Sequence, residues 1–513
     1  MPDTPLGNSG YYIVTAGASV FIMGDTGFGL RNGVYAFLEL MIGMETFSAD
    51  TVIYNCGNTV AFPYGLEIIG KADIDMALPS NRLDDEKTVH AMGMLTKSDV
   101  FALTEDREYS NTTDLVMFGN YWHNSFNYLP YETYQSGHPS WYSTAAYEEN
   151  AGSGVYIPFQ ICYTARGNSS EYSLMVETVY AKMKEYLAKS PNATTITFTI
   201  QDNEEICHCD KCTELYNKYQ SNSAAVIMFI NDVADKLKAD YPHVRLLFFA
   251  YNRTEQAPNT LDEYTKCRDN VAVFYAPIQA NYNVSFSDPL NEQTANQIKA
   301  WANFSDNIYL WLYNTNFNYY LFPHNSFEAM TEINRFCVQY NVKFIYWEGQ
   351  WDQIGATAFS TLKEYMNAKL AWNSEYTAEE LYDKFFPAYF GAASGTMRTY
   401  FNELVAHLKK HTLSGKINEP IATAEIWDRA TLDKWLGYIE TAYSQVEEDS
   451  IYYKHIKLES IFIRHALMAF YDVEDAYFKA DCAELGVERY SECGHDEYGY
   501  TCGSFTGQNG INW

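Results

Sequence analysis

The sequence contains no run of about 18 uncharged apolar residues, the length that a membrane-spanning helix requires. Basic residues are scarce too: 35 Lys and Arg stand against 65 Asp and Glu, and the formal net charge is −30. Because a nucleic-acid backbone is a polyanion, such a chain would need a local basic run to bind it, and we find none. These absences predict a protein without a membrane span and without a nucleic-acid partner.

Cysteine is also sparse, since ten cysteines in 513 residues are too few for a scaffold held together by disulfides. Residues 1–10 lack the basic and apolar regions of a secretory signal peptide. A predicted strand begins almost at once, at Tyr11, so this absence says little about the native compartment.

Aromatic residues, by contrast, are abundant, with 44 Tyr and 10 Trp in a chain that is 47 % hydrophobic. Their flat, amphipathic faces can stack on sugar rings, although cores and interfaces use them as well. A chain of this length and composition can bury a large core and exceeds one ordinary domain.

The first part of the chain predicts a small α+β domain over residues 1–68, truncated at its start. Residues 11–24 alternate as a β-hairpin does. After them, apolar residues recur at the spacing of one helix face. These residues are Leu30, Val34, Phe37, Leu38 and Met41.

Residues 69–375 alternate short β-rich runs with amphipathic helices, which predicts a (β/α)₈ barrel. An open doubly wound sheet is the alternative, but it would usually carry a Gly-rich phosphate turn after its first strand, and none follows residue 77. Residues 376–513 are predicted to be a helical C-terminal region with an irregular tail. The expected strands are 72–77, 114–118, 155–161, 194–201, 244–250, 271–277, 308–313 and 342–347, and the expected barrel helices are 85–95, 171–188, 221–239, 259–267, 290–303, 325–339 and 355–371.

Three acidic residues stand where a barrel would place its active site, directly after a strand. Asp202 and Glu204 follow the fourth expected strand, and Glu348 follows the eighth. Glycoside cleavage needs one carboxyl group as general acid and a second as nucleophile or base. We therefore expect Asp202 or Glu204 to be the acid and Glu348 the base or nucleophile, although each could instead cap a helix or form an ion pair.

Amides, aromatics and one arginine follow other strands and are expected to bind a substrate. His123 could hold a hydroxyl or carboxylate group or act in acid–base chemistry, but a structural histidine with both nitrogens bonded fits the sequence almost as well. The expected substrate-binding residues are Trp122, His123, Asn124, Asn203, Tyr251, Arg253, Trp311, Tyr313 and Trp347.

Three cysteines, Cys207, Cys209 and Cys212, lie within six positions beyond the fourth strand. In a barrel, Cys162 at the end of the preceding strand would be their neighbour. Together the four could form a structural zinc site, which would leave no open position for water. A Cys209–Cys212 disulfide and reduced thiols are the alternatives; in each bonded case the thiols would fix the loop that presents Asp202 and Glu204.

Several stretches resemble known families. The helix in "GFGLRNGVYAFLELMIGMETFSAD" resembles the small domain that precedes the barrel in hexosaminidase-like and α-glucuronidase-like glycoside hydrolases. The segments "WHNSFNYLPYETYQSGHPSWYS", "QICYTARGN", "DNEEICHCDKC", "AFSTLKEYMNAKLAWNSEYTAEELYDKFFPAYFGAA" and "CAELGVERYSE" resemble the family called domain of unknown function 4838. Together these stretches extend over nearly the whole chain.

The resemblance implies a small α/β domain, a (β/α)₈ barrel and a helical region in an extracellular or cell-surface protein of a glycan-degrading bacterium. One departure concerns hexosaminidases of this architecture, which carry an adjacent Asp-Glu pair after strand four. Here Asn203 separates Asp202 from Glu204, which weakens the case for assistance by a substrate acetamido group. An α-glucuronidase-like reaction would need a basic group for the uronate, and Arg253 or His123 could supply it.

The sequence thus predicts an exo-acting glycoside hydrolase on acidic or acetamido sugars, with a glycan as its partner. We expect it to need no cofactor for catalysis and to carry, at most, a structural zinc. The alternatives are a carbohydrate-binding protein that has kept the barrel but lost the chemistry, and a surface protein whose aromatics serve a subunit interface.

Overall fold

A computed structural model describes residues 5–57, 61, 64–81, 85–96, 99, 103–104, 107–108, 122–148, 154, 156–350, 354–412 and 414–492. A small antiparallel unit comes first, a parallel sheet flanked by helices follows, and a set of helices completes the chain. Among these residues, no helix is both long and apolar enough to cross a bilayer.

All the described strands lie in the first 350 residues, where they alternate with helices, and the described elements after them are helical. The strands are β1 (Tyr11–Ala16), β2 (Ser19–Gly24), β3 (Glu45–Ser48), β4 (Thr51–Ile53), β5 (Glu67–Gly70), β6 (Met76–Leu78), β7 (Leu103–Thr104), β8 (Arg107–Glu108), β9 (Ala146–Glu148), β10 (Tyr156–Pro158), β11 (Thr195–Thr197), β12 (Arg245–Ala250), β13 (Val271–Tyr275), β14 (Ile308–Tyr313) and β15 (Val342–Glu348). The helices are α1 (Gly27–Ile42), α2 (Glu86–Ala91), α3 (Ser125–Tyr128), α4 (Tyr131–Tyr134), α5 (Ser169–Lys189), α6 (Asp210–Tyr219), α7 (Ser223–Asp240), α8 (Glu292–Phe304), α9 (Ala329–Gln339), α10 (Ser360–Trp372), α11 (Ala378–Phe390), α12 (Ser394–His411), α13 (Arg429–Tyr443), α14 (Ile451–Tyr471) and α15 (Phe478–Leu485).

The N-terminal unit is a three-stranded antiparallel sheet, in the order β2-β1-β5, with α1 against it. The expected hairpin is present, but α1 buries a different face from the one we expected. Leu30 and Val34 are exposed, because Gly29 and Gly33 let the other face approach the sheet closely. A Cβ on Gly33 would lie 2.7 Å from an Ile22 methyl group, which leaves no room for a side chain.

The central sheet has six parallel strands, in the order β11-β12-β13-β14-β15-β6, and curls into a half-barrel. Each strand pairs with its neighbour along the chain, except that β15 returns to the first strand, β6. This cyclic order is what a barrel would have, and it brings the carboxyl ends of all six strands to one edge. That edge carries most of the residues that the sequence marked as functional.

Closure into eight strands is not seen in the described part of the chain. The expected strand 114–118 lies outside the described residues. The expected strand 155–161 differs from the prediction: its residues 156–158 form β10, which pairs antiparallel with β9 and is absent from the parallel sheet. Pro158, which has no N–H to donate to a ladder, ends this short strand.

Side-chain amides, in place of a strand, bond the outer edge of β11 and its extension to residue 201. Asn124 donates Nδ2–H to the carbonyl of Thr197 (3.2 Å), and its Oδ1 accepts the N–H of Thr199 (2.9 Å). Gln160 continues the pattern by accepting the N–H of Gln201 and donating to its carbonyl, both at 3.0 Å. Because a primary amide has one acceptor and donors side by side, it can replace a peptide unit of a missing neighbour.

Asn124, which we expected to bind substrate, is therefore part of the scaffold. It is fully buried, and its amide is engaged by the strand edge. Its backbone N–H also meets the hydroxyl of Thr199 at 3.3 Å.

The expected helix over residues 259–267 is absent, and the helix α6 was not expected. In the former segment the Asp262 carboxylate accepts the N–H groups of Tyr264 and Thr265 at 3.0 Å. The Thr265 hydroxyl accepts the N–H of Asp262 in return. These local bonds use the groups that a helix would need, which is how Asp and Thr compete with helix formation.

Helices α11 to α15 make up most of the described chain after residue 376, and the expected irregular tail beyond residue 492 lies outside the described residues. One continuous apolar cluster joins these helices to the parallel sheet and to the N-terminal unit. Trp141, Trp301, Trp347, Trp427 and Trp435 are among its fully buried side chains. Half of the tryptophans in the sequence thus pack in this core.

We predict that Asn124→Ala lowers the free energy of unfolding by about 2 kcal/mol, because it leaves the buried N–H of Thr199 without an acceptor. Urea denaturation followed by circular dichroism measures this difference. Asn217→Ala, an exposed amide on α6, is the matched control and should stay within about 0.5 kcal/mol of the parent. A loss at Asn124 no larger than the control would show that the edge does not depend on this side chain.

Candidate active site at the carboxyl ends of the strands

Glu348, the last residue of β15, lies half-buried at the carboxyl edge of the sheet. Trp311 on the adjacent strand β14 donates its indole N–H to Oε2 of Glu348 at 2.8 Å. A hydrogen bond from a rigid aromatic ring fixes the direction of a carboxylate and stabilises its charged form. The structure thus places an oriented acid where the sequence predicted one.

The backbone around Glu348 is held from both sides. Asn314 donates its N–H to the carbonyl of Glu348 (2.9 Å), and Gly349 donates to the carbonyl of Ser80 (2.7 Å). Gln350 donates to Oδ1 of Asn81 at 3.0 Å. Glycine is required at position 349, since a Cβ there would lie 2.4 Å from that same amide oxygen.

The buried carboxyl group of Glu364, on α10, holds the turn that supports Glu348. Oε2 of Glu364 accepts the N–H groups of Ser80 at 2.6 Å and Asn81 at 2.9 Å. Burial raises the pKa of Glu364 to about 8, and the two backbone N–H groups offset only part of that rise. The end of β6 therefore depends on a polar group deep in the core.

Asp202 follows β11 and is exposed at the same edge of the sheet. The hydroxyl of Tyr251, which follows β12, donates to Oδ1 of Asp202 at 3.1 Å. Burial raises the pKa of Tyr251, and the nearby charges of Asp202 and Glu348 raise it further. Burial likewise raises the pKa of Tyr313, followed by the charge of Glu348 and more weakly that of Asp202. Asp202 and Glu348 therefore lie at the same carboxyl edge of the parallel sheet, which we call the mouth.

His123 lies between Asp202's strand and Tyr251. Its Nδ1 is 2.9 Å from the carbonyl of Ile200, and since a carbonyl can only accept, Nδ1 carries the hydrogen and Nε2 is the acceptor in the neutral ring. The ring centroid is 6.1 Å from that of Tyr251. The backbone of His123 is left-handed (φ 49°), and Gln201 holds it by donating to the His123 carbonyl at 3.0 Å.

Glu204 and Arg253 face away from this mouth. Their side chains are 78 % and 61 % exposed and lie 3.8 Å apart, and Arg253 also donates to the carbonyl of Glu204. Both line a separate groove of about 510 Å³ together with Glu205, His208 and Tyr216. The residues that line this groove include neither Asp202 nor Glu348.

Asn203 and three of the expected aromatics are structural. Asn203 donates to the carbonyl of Phe159 at 3.0 Å, while its Oδ1 accepts from Gln160 and from the N–H of Glu205. Trp347 and Tyr313 are buried, and Trp122 is 8 % exposed with its ring against Phe249, Phe274 and Trp311. These rings form the floor of the mouth, so Tyr251 and Trp311 are the expected aromatics that remain half-buried.

The four cysteines that the sequence grouped do converge. The sulfur atoms of Cys162, Cys207, Cys209 and Cys212 all lie within 4.8 Å of one another. The Sγ of Cys162 is 3.8 Å from that of Cys209 and 3.8 Å from that of Cys212. No pair is bonded, and the cluster lies at the far end of the loop that begins with Asp202.

Sequence analysis did not identify four residues that hold the backbone around the candidate site: Ser80, Asn81, Gln201 and Glu364. The rule that marked residues after each strand would have found Ser80 and Asn81 if it had been applied to the first strand as well. Glu364 lies in the middle of a helix, and no pattern in the sequence distinguishes it from a surface glutamate.

Comparison with known families gives one match: a sequence model of the domain of unknown function DUF4838 matches residues 88–402. The match confirms the resemblance seen in the sequence. A comparison with curated proteins found no match.

Among solved structures, the fold is similar to that of a family 89 glycoside hydrolase from Clostridium perfringens in complex with its substrate GlcNAc-alpha-1,4-galactose. The identity is 9 %, the TM-score is 0.50, and the alignment covers 91 % of this chain and 58 % of that one. For a family 89 glycoside hydrolase from the same organism, in complex with PUGNAc, the identity is 10 % and the TM-score is 0.49, and the alignment covers 94 % of this chain and 61 % of that one. For a family 138 glycoside hydrolase targeting pectin rhamnogalacturonan II, the identity is 9 % and the TM-score is 0.38, and the alignment covers 91 % of this chain and 64 % of that one.

At these identities the likeness concerns the fold alone. The chain also spans only about three fifths of the length of these glycoside hydrolases.

The raised pKa of Glu364 predicts how stability depends on pH. Below about pH 4.5 both the folded and unfolded states keep this proton; above it, the unfolded state releases a proton that the folded state retains until about pH 8. The contribution of this group is thus fully present at low pH and is lost as the pH rises through that window, by up to about 1.4 kcal/mol per pH unit.

Glu364→Gln should remove this slope, because an amide does not titrate. Urea denaturation of both proteins at about pH 5, 6 and 7 measures the difference in the free energy of unfolding, which should shift in favour of the variant as the pH rises. Glu440→Gln, an exposed position on α13, controls for loss of a carboxylate. Parallel pH profiles for the parent and Glu364→Gln would contradict the assignment.

Proposed function

The chain belongs to the family of the domain of unknown function DUF4838, and we propose that it is a glycoside hydrolase that acts on glycans. The observation that carries this proposal is that two carboxyl groups, each held by a hydrogen bond from an aromatic side chain, lie at the carboxyl edge of the same parallel sheet: Asp202 with Tyr251 and Glu348 with Trp311. The six parallel strands support a (β/α)₈ barrel, the architecture whose active sites lie at this edge. The likeness to family 89 glycoside hydrolases supports the fold on which the proposal rests.

In the proposed reaction, Asp202 is the general acid and Glu348 the nucleophile or base. Asp202 transfers a proton to the glycosidic oxygen as its bond to the anomeric carbon breaks. If Glu348 attacks that carbon, it forms a glycosyl ester, which water then hydrolyses with the deprotonated Asp202 as base. If Glu348 is instead the base, it takes a proton from the water that attacks the carbon, and either route consumes one water and releases a reducing sugar. The indole of Trp311 holds Glu348 in position, and the hydroxyl of Tyr251 does the same for Asp202.

Asp202 is a better candidate than Glu204 for the acid, although the sequence left both open. Glu204 is engaged by Arg253 on the outer side of the loop, and the same contact takes Arg253 away from the mouth. His123 is therefore the basic side chain best placed to recognise a substrate carboxylate or hydroxyl group.

For the substrate we propose an acidic or acetamido sugar at the non-reducing end of a chain. The similar family 89 structure holds GlcNAc-alpha-1,4-galactose, which supports the acetamido choice, and His123 supports the acidic one. A screen of sugar release from plant and mucin glycans tests the two against each other. Release of single sugars of either class would support exo action, and release of long fragments alone would contradict it.

On a substrate found in that screen, we expect Glu348→Gln to abolish turnover and Asp202→Asn to lower kcat by about 10²- to 10⁴-fold, the usual contribution of a general acid. Both variants should still bind the glycan, because each side chain keeps its shape. Initial rates and equilibrium binding measure the two effects separately.

Glu204→Gln is the matched variant on the same loop and should change kcat by less than about threefold. If Glu204→Gln is the inactive variant and Asp202→Asn the active one, the roles are reversed. If Glu348→Gln keeps the parent rate, the proposed mechanism is wrong. Glycan binding by the parent without any hydrolysis would favour the carbohydrate-binding alternative.

A further inference from the structure

The four-cysteine cluster has the dimensions of a single tetrahedral metal site. Zinc holds thiolate sulfur at about 2.3 Å, so the sulfur atoms of a zinc tetrathiolate are separated by about 3.8 Å. Cys162 lies 3.8 Å from both Cys209 and Cys212, and every pair falls within 4.8 Å. We propose that Cys162, Cys207, Cys209 and Cys212 bind one structural zinc ion.

The same distances argue against the other uses of four thiols. A disulfide requires sulfur atoms about 2.05 Å apart, and all four cysteines of the cluster, including Cys209 and Cys212, are free in this arrangement. An iron–sulfur cluster spreads its thiolates over several iron atoms, whereas these four sulfur atoms surround one point. With four protein ligands, no position remains for a water molecule, and the ion is structural.

Hydrogen-bond donors surround the sulfur atoms as they do in thiolate sites. The N–H of Arg166 lies 3.2 Å from Sγ of Cys162, and the N–H of Cys212 lies 3.5 Å from Sγ of Cys209. The hydroxyl of Thr164 is 3.4 Å from Cys162 and 3.3 Å from Cys212. Donors of this kind stabilise the negative charge that thiolates carry when they bind a metal.

The backbone beside Cys162 is bent into an unfavourable shape that the site would explain. Ala165 and Arg166 both have left-handed conformations, at φ 43° and φ 50°. Non-glycine residues adopt this region at a cost of about 1–3 kcal/mol each, and they persist where surrounding contacts compensate. Here the bend aims the Arg166 N–H at a sulfur atom, and the Arg166 side chain bonds the carbonyl of Tyr142 at 3.0 Å.

The ion would join two loops that β10 and β11 present side by side. Cys162 lies on the first, and the second runs from Asp202 to Cys209 and into Cys212 in the first turn of α6. The tie would limit the motion of the segment that carries Asp202. The proposal itself does not depend on the hydrolase activity, and its tests measure metal rather than turnover.

Metal analysis of the purified full chain tests the proposal directly, with about one zinc per chain expected. Cys212→Ala, which removes a half-buried ligand, should lower the zinc content at least tenfold. Cys337→Ala is the matched control, because this buried cysteine on α9 lies outside the cluster, and it should keep the full zinc content.

A second measurement needs no variant and so does not depend on whether Cys212→Ala folds. Titration of the parent with a mercurial reagent should release zinc in step with modification of the cluster thiols, and cobalt substitution should give the strong visible absorption of a tetrahedral tetrathiolate. Absence of zinc with four free thiols, a disulfide within the cluster in non-reducing mass spectrometry, or iron in place of zinc would each overturn the proposal.

Discussion

The arrangement of the candidate site depends on how the outer edge of β11 is satisfied. A strand edge presents N–H and C=O groups that cannot remain unpaired in a buried setting, where each would cost about 1–3 kcal/mol. Here the partners are the amide side chains of Asn124 and Gln160, in place of a continuous strand. Because side-chain amides can reach the strand edge from loops, the segments that carry Asn124 and Gln160 do not have to be extended β-strands.

That freedom determines what the neighbouring loops can carry. The segment that holds Asn124 also presents His123 at the mouth, and the segment that holds Gln160 continues into Cys162. The extension of β11 leads into Asp202 and then into the other three cysteines. The hydrogen bonds that Asn124 and Gln160 make to this strand edge thus bring the candidate acid Asp202, His123 and the four cysteines close together.

Much of this organisation could be predicted from the sequence. The alternation of buried strands and helices gave the cyclic order of the sheet, and the rule for strand ends found Asp202, Glu348, Tyr251 and Trp311. The close spacing predicted a group of Cys207, Cys209 and Cys212, and the expected order of the strands added Cys162, which does lie with them. The family resemblance is likewise confirmed, whereas the bacterial, extracellular setting stays a prediction.

The remaining features depend on three-dimensional contacts that no local pattern records. Nothing in the motif around Asn203 distinguishes Asp202, which is bonded by Tyr251, from Glu204, which is paired with Arg253. Asn124 looks like a ligand-binding amide until its partners on Thr197 and Thr199 are seen. The helix α1 turned a different face to the sheet because two glycines allowed a closer approach than its leucine and valine could.

The contact between Glu364 and the end of β6 limits how this sequence can change. One oxygen of the Glu364 carboxyl group accepts two backbone N–H groups, and the Asn81 side chain accepts the N–H of Gln350, so three segments that are distant in the sequence share one polar junction. No apolar residue could substitute at position 364 without stranding those donors. We therefore expect related sequences to keep Asn81 and Glu364 together, even where the apolar residues around them have changed.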